Sequence, residues 1–141
     1  MNIIDQSLEI ALKAHSGQLD KAGRPYILHP IRVMNQMNTD QERAVALLHD
    51  VIEDSKYTKQ DLLQQGIPAD VANAVQFLTK ETNESYESFI ERILNNKLAV
   101  KVKKADLMDN MDLLRIKSID TKDLERVEKY HEAYKILSIS H

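Results

Sequence analysis

Residues that break helices are few in this chain and are confined to two short stretches. All three glycines and all three prolines of the 141 residues lie in SGQLDKAGRPYILHP, residues 16–30, and in QGIPAD, residues 65–70. Glycine and proline interrupt regular secondary structure more strongly than other residues, so the rest of the chain is free to form helices. This distribution predicts an all-α fold.

Three short motifs mark positions where helices are expected to begin. Each pairs a capping side chain with an acid three residues later: Thr39 with Glu42, Thr58 with Asp61, and Asp120 with Asp123. Such pairs satisfy N–H groups of the first turn that have no partner inside the helix. With Pro68 as the first residue of another helix, we predict helices at 3–16, 29–37, 40–54, 59–65, 68–80, 85–95, 98–117 and 121–138.

One segment, residues 99–104, alternates apolar and polar side chains as a strand would. Its continuation has helical spacing instead, with apolar residues at Val102, Ala105, Met108 and Met111, so we prefer a helix. The chain has no internal repeat, low-complexity tract or linker, and 43% of its residues are hydrophobic, which is enough for one core at this length. We therefore predict a single compact multi-helix domain over residues 1–141.

Charge and cysteine content exclude several classes of partner. The 19 basic and 22 acidic side chains leave a net charge of −3, so the chain as a whole does not attract nucleic acid or an anionic membrane, and local charge must bind any phosphate. The absence of cysteine excludes disulfides and thiolate zinc sites and fits a reducing cytoplasm. The sequence shows no membrane span and no signal peptide, so we expect a cytoplasmic protein used at full length.

An ionisable cluster follows an apolar run in LLHDVIED, residues 47–54. In one continuous helix, residues four apart share a face, so His49 would lie over Glu53 and Asp50 over Asp54. A solvated helix end would explain the acids, and a satisfied core position would explain the histidine. However, apolar residues precede the cluster without interruption, and burying unpaired charge costs several kcal/mol. The cluster is therefore expected to have binding partners.

Two further segments place polar side chains among apolar ones. His29 lies in PYILHPIRV, and Asp106 and Asn110 lie four residues apart in ADLMDN. Taken singly, His29 is explained by a hydrogen bond to a backbone carbonyl, and Asp106 by an ion pair with Lys103 or Lys104.

Two imidazoles and two carboxylates become available if these segments meet: His29, His49, Asp50 and Asp106. Nitrogen and oxygen donors of this kind suit a divalent transition metal such as manganese, iron or zinc. The adjacent His49 and Asp50 can serve one ion because helix curvature lets neighbouring side-chain tips converge. We predict a metal site between helices.

Four sequence blocks resemble a known family. In chain order, AHSGQLDKAGRPYILHP, ALLHDVIEDS, VKKADLMDN and ERVEKY are similar to the histidine–aspartate (HD) phosphohydrolase superfamily, and within it to the hydrolase domain of RelA/SpoT proteins and the stand-alone small alarmone hydrolases. The segment HDVIED matches the family pattern HDxxED. The resemblance implies a helical HD domain with a metal site.

The resemblance also implies a role for each matching residue. The family's metal ligands fall on His29, His49, Asp50 and Asp106, the four residues brought together above. The acids that orient or deprotonate the attacking water fall on Glu53 and Asp54. A lysine on the phosphate side falls on Lys21, and an asparagine that lines the nucleotide site falls on Asn110. An arginine and a tyrosine near the substrate phosphate and sugar fall on Arg126 and Tyr130.

One position departs from the family pattern. RelA/SpoT hydrolase domains typically have an arginine before the loop lysine, where it stacks on the purine, and this chain has Asp20 there. A carboxylate cannot make that cation–π contact. Arg24, in the same loop, is our candidate to reach the base instead. Without the resemblance, Lys21 and Arg24 fit a solvated loop, and Arg126 fits an ion pair on a helix surface.

The resemblance implies metal-dependent removal of pyrophosphate from the 3′ position of guanosine tetra- or pentaphosphate, (p)ppGpp, with Mn²⁺ expected and Fe²⁺ or Zn²⁺ as alternatives. Two other functions stay open. A sibling enzyme could cleave another nucleotide, such as the 2′-phosphate of a nicotinamide dinucleotide or a nucleoside monophosphate, and a sensor could bind a nucleotide without turnover. The intact HDVIED disfavours the sensor. The expected partner is a nucleotide, and the sequence leaves the oligomeric state open.

The remaining histidines are not expected to be ligands. His15 should cap or pack at the end of the first helix. His131 lies in HEAYK, which lacks the second histidine of a zinc-protease motif. The terminal His141 is expected to be disordered.

Overall fold

The computed structural model describes residues 2–139, and His141 lies outside this range. The described residues form nine helices: α1 (Ile3–Ala14), α2 (Leu28–Met34), α3 (Asp40–Leu48), α4 (Val51–Asp54), α5 (Lys59–Gln64), α6 (Ala69–Phe77), α7 (Tyr86–Ile93), α8 (Lys97–Asn110) and α9 (Thr121–Ile139). None of these helices is both long enough and apolar enough to cross a membrane. The predicted all-α class is confirmed.

The three predicted helix starts are confirmed, with their capping hydrogen bonds in place. At α3, the Thr39 hydroxyl accepts from the Glu42 amide, and the Glu42 carboxylate accepts from the Thr39 amide. The same exchange occurs at the start of α5. Before α9, Asp120 and Asp123 each accept from the other's amide, at 2.9 and 3.0 Å. The alternating segment 99–104 lies inside α8, as predicted.

The core is built around α3, whose last five residues, Ala44–Leu48, are fully buried. Helices α1, α2, α6 and α8 pack against α3, while α9 packs on α7 and α8. Because α3 ends immediately before His49 and Asp50, this central helix delivers both side chains to the interior, beside α2 and α8.

The single helix predicted over 40–54 is wrong, because the chain breaks at His49 and Asp50 into α3 and α4. His49 Nδ1 donates to the Ala46 carbonyl at 2.6 Å. In a continuing helix, that oxygen would accept from the Asp50 amide, so the side chain competes with the helical hydrogen bond. The ligand candidates and the later acids therefore do not share one continuous helix, although the Asp54 amide still donates to the Asp50 carbonyl at 2.9 Å.

The helix predicted over 98–117 is also too long, because α8 ends at Asn110. Arg115 Nη2 donates to the Asp109 carbonyl at 2.8 Å, and this side chain satisfies a backbone oxygen that a longer helix would pair internally. The segment 111–120 is consequently irregular. The other helices differ from the predictions only by a few residues at their ends.

Candidate active site

Four ionisable side chains converge where α2, α8 and the α3–α4 break meet. One ligand atom from each of His29, His49, Asp50 and Asp106 lies within 4.8 Å of the ligand atoms of the other three. Both histidines and Asp106 are buried, with 5% or less of their surface exposed, and Asp50 is partly buried. The structure thus brings together the four residues that the sequence analysis selected as metal ligands.

The orientation of His49 is set by the chain break. Its Nδ1 donates to the Ala46 carbonyl at 2.6 Å, which leaves Nε2 to face the cluster. From there, Nε2 lies 3.0 Å from Asp50 Oδ2 and 3.3 Å from Asp106 Oδ1. The hydrogen bond that interrupts the helix therefore also aims this nitrogen.

The His29 ring lies between two carboxylates. Its Nδ1 is 2.6 Å from Asp109 Oδ2, and its Nε2 is 2.8 Å from Asp106 Oδ1. The simpler explanation of His29, a hydrogen bond to a backbone carbonyl, does not match these contacts.

Both imidazoles present an acceptor to the cluster when they are neutral. Each Nδ1–H donates to a group outside the cluster, so each Nε2 lone pair faces a carboxylate oxygen. A lone pair and a carboxylate oxygen are both acceptors, and they attract each other only when a cation lies between them. His49 Nε2 is buried without a hydrogen-bond partner. Burial by itself lowers the pKa of His49, but the charges of Asp50 and Asp106 outweigh it and raise this pKa well above its ordinary value. The cluster thus attracts positive charge, and its donors fit a divalent metal.

The carboxylates of the cluster also accept hydrogen bonds from three neighbouring side chains. Lys103 Nζ donates to Asp106 Oδ2 at 2.9 Å, and Asn110 Nδ2 donates to Oδ1 at 3.0 Å. The Tyr26 hydroxyl donates to Asp50 Oδ2. The ion pair considered in the sequence analysis, between Asp106 and Lys103, is therefore present, but it uses the oxygen that faces away from the histidines.

A cleft with a volume of about 300 Å³ opens beside the cluster. Apolar side chains of the loop before α2 and of the segment after α8 form part of its wall. The wall also contains His29 and four of the residues predicted to contact the substrate: Lys21, Asn110, Arg126 and Tyr130.

Lys21 and Arg126 form a positive corner of this cleft. Both residues line the cleft. Desolvation and then the positive charge of Arg126 lower the pKa of Lys21, while the charges of Asp123 and Asp120 act in the opposite direction. The Asp123 carboxylate accepts a hydrogen bond from Arg126 and orients it. A phosphate group between the two cations would relieve their repulsion.

Glu53 and Asp54 lie on α4, outside the wall of the cleft. Glu53 Oε1 accepts from the Lys80 amide at 2.8 Å, which ties α4 to the loop after α6. Partial burial, followed by the charges of Asp50 and Glu53, raises the pKa of Asp54 to about 6. A carboxyl with this pKa can accept a proton near neutral pH. The roles of Glu53 and Asp54 in orienting or deprotonating the attacking water stay predictions.

Asp20 has a structural role in the loop that carries Lys21. Its Oδ1 accepts from the amides of Ala22 and Arg24, both at 2.9 Å. Gly23 completes the turn with φ of +79°, a conformation that glycine adopts readily. The Arg24 side chain is exposed and does not line the cleft. Its predicted contact with the base therefore stays a prediction.

Three residues of the site were missed by the sequence analysis: Tyr26, Arg32 and Asp109. Tyr26 and Arg32 flank His29 at a distance of three residues, and Asp109 follows Asp106 by three. On a helix, this spacing places Arg32 beside His29 and Asp109 beside Asp106, and it was the available signal for these two residues; Tyr26 lies in the turn before α2. The spacing could not distinguish these residues from an ordinary solvated surface.

Comparisons with known proteins identify relatives that are named either as guanosine-3′,5′-bis(diphosphate) 3′-pyrophosphohydrolases or as GTP pyrophosphokinases, although no family model matches the chain. It is 36% identical over 120 residues to the guanosine-3′,5′-bis(diphosphate) 3′-pyrophosphohydrolase of Haemophilus influenzae. It is 33% identical over 124 residues to the bifunctional (p)ppGpp synthase/hydrolase SpoT of Escherichia coli K12. The alignments cover 74% and 77% of this chain but only 18% of each relative.

The fold matches a solved structure described as a metazoan ortholog of SpoT that hydrolyzes ppGpp. The TM-score is 0.81 with 21% sequence identity, and the match covers 100% of this chain and 88% of that one.

The helical fold, with two histidines and two aspartates between α2, α8 and the α3–α4 break, agrees with the HD-type domain that the curated relatives indicate. The curated relatives indicate which family of HD-type domains this is. This chain belongs to the HD domains of the RelA/SpoT family, which confirms the resemblance seen in its motifs.

Proposed function

We propose that this protein is a metal-dependent 3′-pyrophosphohydrolase of (p)ppGpp. The observation that carries the proposal is the position of the positive corner, Lys21 and Arg126, in a cleft that also reaches the metal-ligand candidate His29. A diphosphate bound at this corner would share the cleft with His29. The relatives named as hydrolases of this nucleotide support the choice of substrate.

The reaction adds water to the phosphorus that carries O3′ and breaks the bond between them. Pyrophosphate is released, and GDP or GTP with a free 3′ hydroxyl remains. When bound by the four ligands, a divalent metal supplies a Lewis acid that makes water more acidic and neutralises charge on a phosphoryl oxygen. Manganese is our proposed metal, with iron or zinc as alternatives, because the donors are imidazole and carboxylate without sulfur.

The protein's own residues bind the substrate and manage the proton. Lys21 and Arg126 hold the diphosphate, while Asn110 and Tyr130 contact the nucleoside from the wall of the cleft. Asp54, whose pKa is raised to about 6, accepts the proton of the attacking water. Glu53 helps to orient that water from the same turn of helix. We place this activity in one domain of residues 1–141 that acts in the cytoplasm on a nucleotide.

The test is turnover of guanosine 3′,5′-bis(diphosphate) by the purified protein with Mn²⁺ and after chelation. We expect pyrophosphate and GDP to be released only with metal present. Asp50→Ala should abolish release, because it removes a ligand of the cluster. Asp5→Ala, at an exposed aspartate of α1, is the matched control and should retain full activity.

Two outcomes would contradict the proposal in different ways. Turnover of another phosphorylated nucleotide, but not of this one, would indicate a sibling enzyme, with Asp20 as the first residue to examine. Tight nucleotide binding with no turnover of any substrate would indicate a sensor.

A further inference from the structure

The Asp109 carboxylate lies behind His29, on the side away from the other three ligand candidates. Its Oδ2 is 2.6 Å from His29 Nδ1, the shorter of the two contacts that this ring makes with carboxylates. The side chain of Asp109 is only 13% exposed. Asp109 lines the same cleft as His29, but it is not one of the four ligand candidates.

In neutral His29 one ring nitrogen carries the proton, and a carboxylate lies at hydrogen-bond distance from each nitrogen. An ionised carboxylate can only accept, so a hydrogen bond from Nδ1–H to Asp109 leaves the Nε2 lone pair directed at the cluster. A backbone carbonyl, Ala46, does the same for His49. The two rings differ in one respect, since a negative carboxylate makes an imidazole a stronger donor to a metal than a neutral carbonyl does.

Asp109 is held firmly in this position. Arg32 donates to both of its oxygens, from Nε at 2.8 Å and from Nη2 at 3.0 Å, in a bidentate pair. Arg32 follows His29 by three residues on α2, so one helix carries both the ring and the clamp. Arg115 adds a contact of 3.5 Å to Oδ2 and a 2.8 Å hydrogen bond to the backbone carbonyl of Asp109.

We propose that Asp109, clamped by Arg32, is a positioning residue that sets the tautomer and the donor strength of His29 toward the metal. The metal centre then extends one layer beyond its four ligands, from α2 across to α8. This inference rests on the metal part of the proposed function and is independent of which nucleotide is cleaved.

The test compares Mn²⁺ affinity in the wild-type protein, Asp109→Asn and Arg32→Gln, measured from the electron paramagnetic resonance signal of free Mn²⁺. An asparagine is neutral, and its amide nitrogen would face a donor of Arg32 or of His29, so it cannot reproduce all three hydrogen bonds that the carboxylate accepts. We expect Asp109→Asn to weaken Mn²⁺ binding by about 10–100-fold. Arg32→Gln leaves Asp109 in place without its clamp, and a smaller loss is expected.

The matched control is Asp112→Asn, which removes a nearby charge that contacts Arg115 but not His29. Its Mn²⁺ affinity should equal that of the wild type. A second measurement reports the hydrogen bond between His29 Nδ1–H and Asp109 directly: in the Zn²⁺-loaded protein, the Nδ1 proton of His29 should give a slowly exchanging NMR resonance that Asp109→Asn loses. A purely structural role for Asp109 would not remove this resonance from a folded protein.

Unchanged Mn²⁺ affinity in a folded Asp109→Asn, or a persisting Nδ1 proton, would overturn the inference. Equal losses in Asp109→Asn and Asp112→Asn would also overturn it, because they would reflect disturbance of the segment after α8. If the wild type binds Mn²⁺ and Asp109→Asn weakens it while ppGpp is not cleaved, the inference stands and the substrate proposal fails. Failure of the wild type to bind Mn²⁺, Fe²⁺ or Zn²⁺ overturns both.

Discussion

At the scale of single residues, the site concentrates acids whose mutual repulsion the fold has to tolerate. Asp54 shows the effect most clearly, because partial burial and the charges of Asp50 and Glu53 raise its pKa to about 6. Its value in an unfolded chain is about 3.9. Ionisation therefore costs more in the folded protein than in the unfolded one, and stability falls as pH rises from about 4 to about 6.

We predict that Asp54→Asn stabilises the metal-free protein at pH 7 while it abolishes turnover. The gain should be on the order of 1 kcal/mol, because water screens part of the repulsion at this exposed position. It should vanish below about pH 4, where the carboxyl is protonated in both states. Thermal denaturation of the wild type and Asp54→Asn at pH 4 and pH 7 measures this difference in stability, with Asp5→Asn as the control. A variant less stable than wild type at pH 7 would show that the charge is not repelled.

At the scale of elements, the connection between α6 and α7 is held by one arginine. Arg92 of α7 donates to both oxygens of Glu84, at 2.7 and 2.9 Å, and to the carbonyls of Phe77 and Thr79, at 3.3 and 3.0 Å. The same connection contributes the Lys80 amide that binds Glu53. The conformation of this connection therefore affects the position of Glu53, the acid predicted to orient the attacking water.

We predict that Arg92→Met destabilises the protein by about 2–3 kcal/mol, since it leaves carbonyls and a carboxylate without their donor. Turnover of the folded variant should also fall, because the loop no longer fixes Glu53. Urea denaturation and steady-state kinetics measure the two effects. Arg43→Met is the control, as Arg43 makes a local pair with Asp40 on α3 and should cost less than 1 kcal/mol. Equal effects in the two variants would rule out a special role for the α6–α7 connection.

At the scale of the whole molecule, the ligand cluster joins parts of the chain that are far apart in sequence. α2, the α3–α4 break and α8 all contribute side chains to it, and α3 is also the most buried helix of the core. A metal bound at this junction stabilises the folded state, because the unfolded chain cannot assemble the same ligands.

We predict that saturating Mn²⁺ raises the melting temperature of the wild-type protein. A concentration of 100 times the dissociation constant is worth about 2.7 kcal/mol, which corresponds to a shift of roughly 10 °C at this size. Asp106→Ala removes a ligand and should abolish the shift. Differential scanning fluorimetry with a series of Mn²⁺ concentrations provides the measurement. A shift of equal size in Asp106→Ala would place the metal elsewhere.

Much of the fold followed from local signals in the sequence. Placement of glycine and proline predicted where helices could not continue, and the capping pairs, such as Asp120 with Asp123, predicted where they began. These signals are readable because the hydrogen bonds involved span three residues. Residue chemistry likewise singled out His29, His49, Asp50 and Asp106, since each combines a metal-binding group with apolar neighbours.

Tertiary structure alone decided the break after α3, the early end of α8 and the surroundings of the ligands. His29 and Asp109 are 80 residues apart in the chain, so no pattern of local spacing could have predicted their contact. From the sequence, Asp109 is expected to be an ordinary acid on a helix surface. Only the packing of α2 on α8 places it against the His29 ring. The residue types of the site were thus determined by sequence, whereas their orientation depends on long-range packing, which no local hydrogen bond specifies.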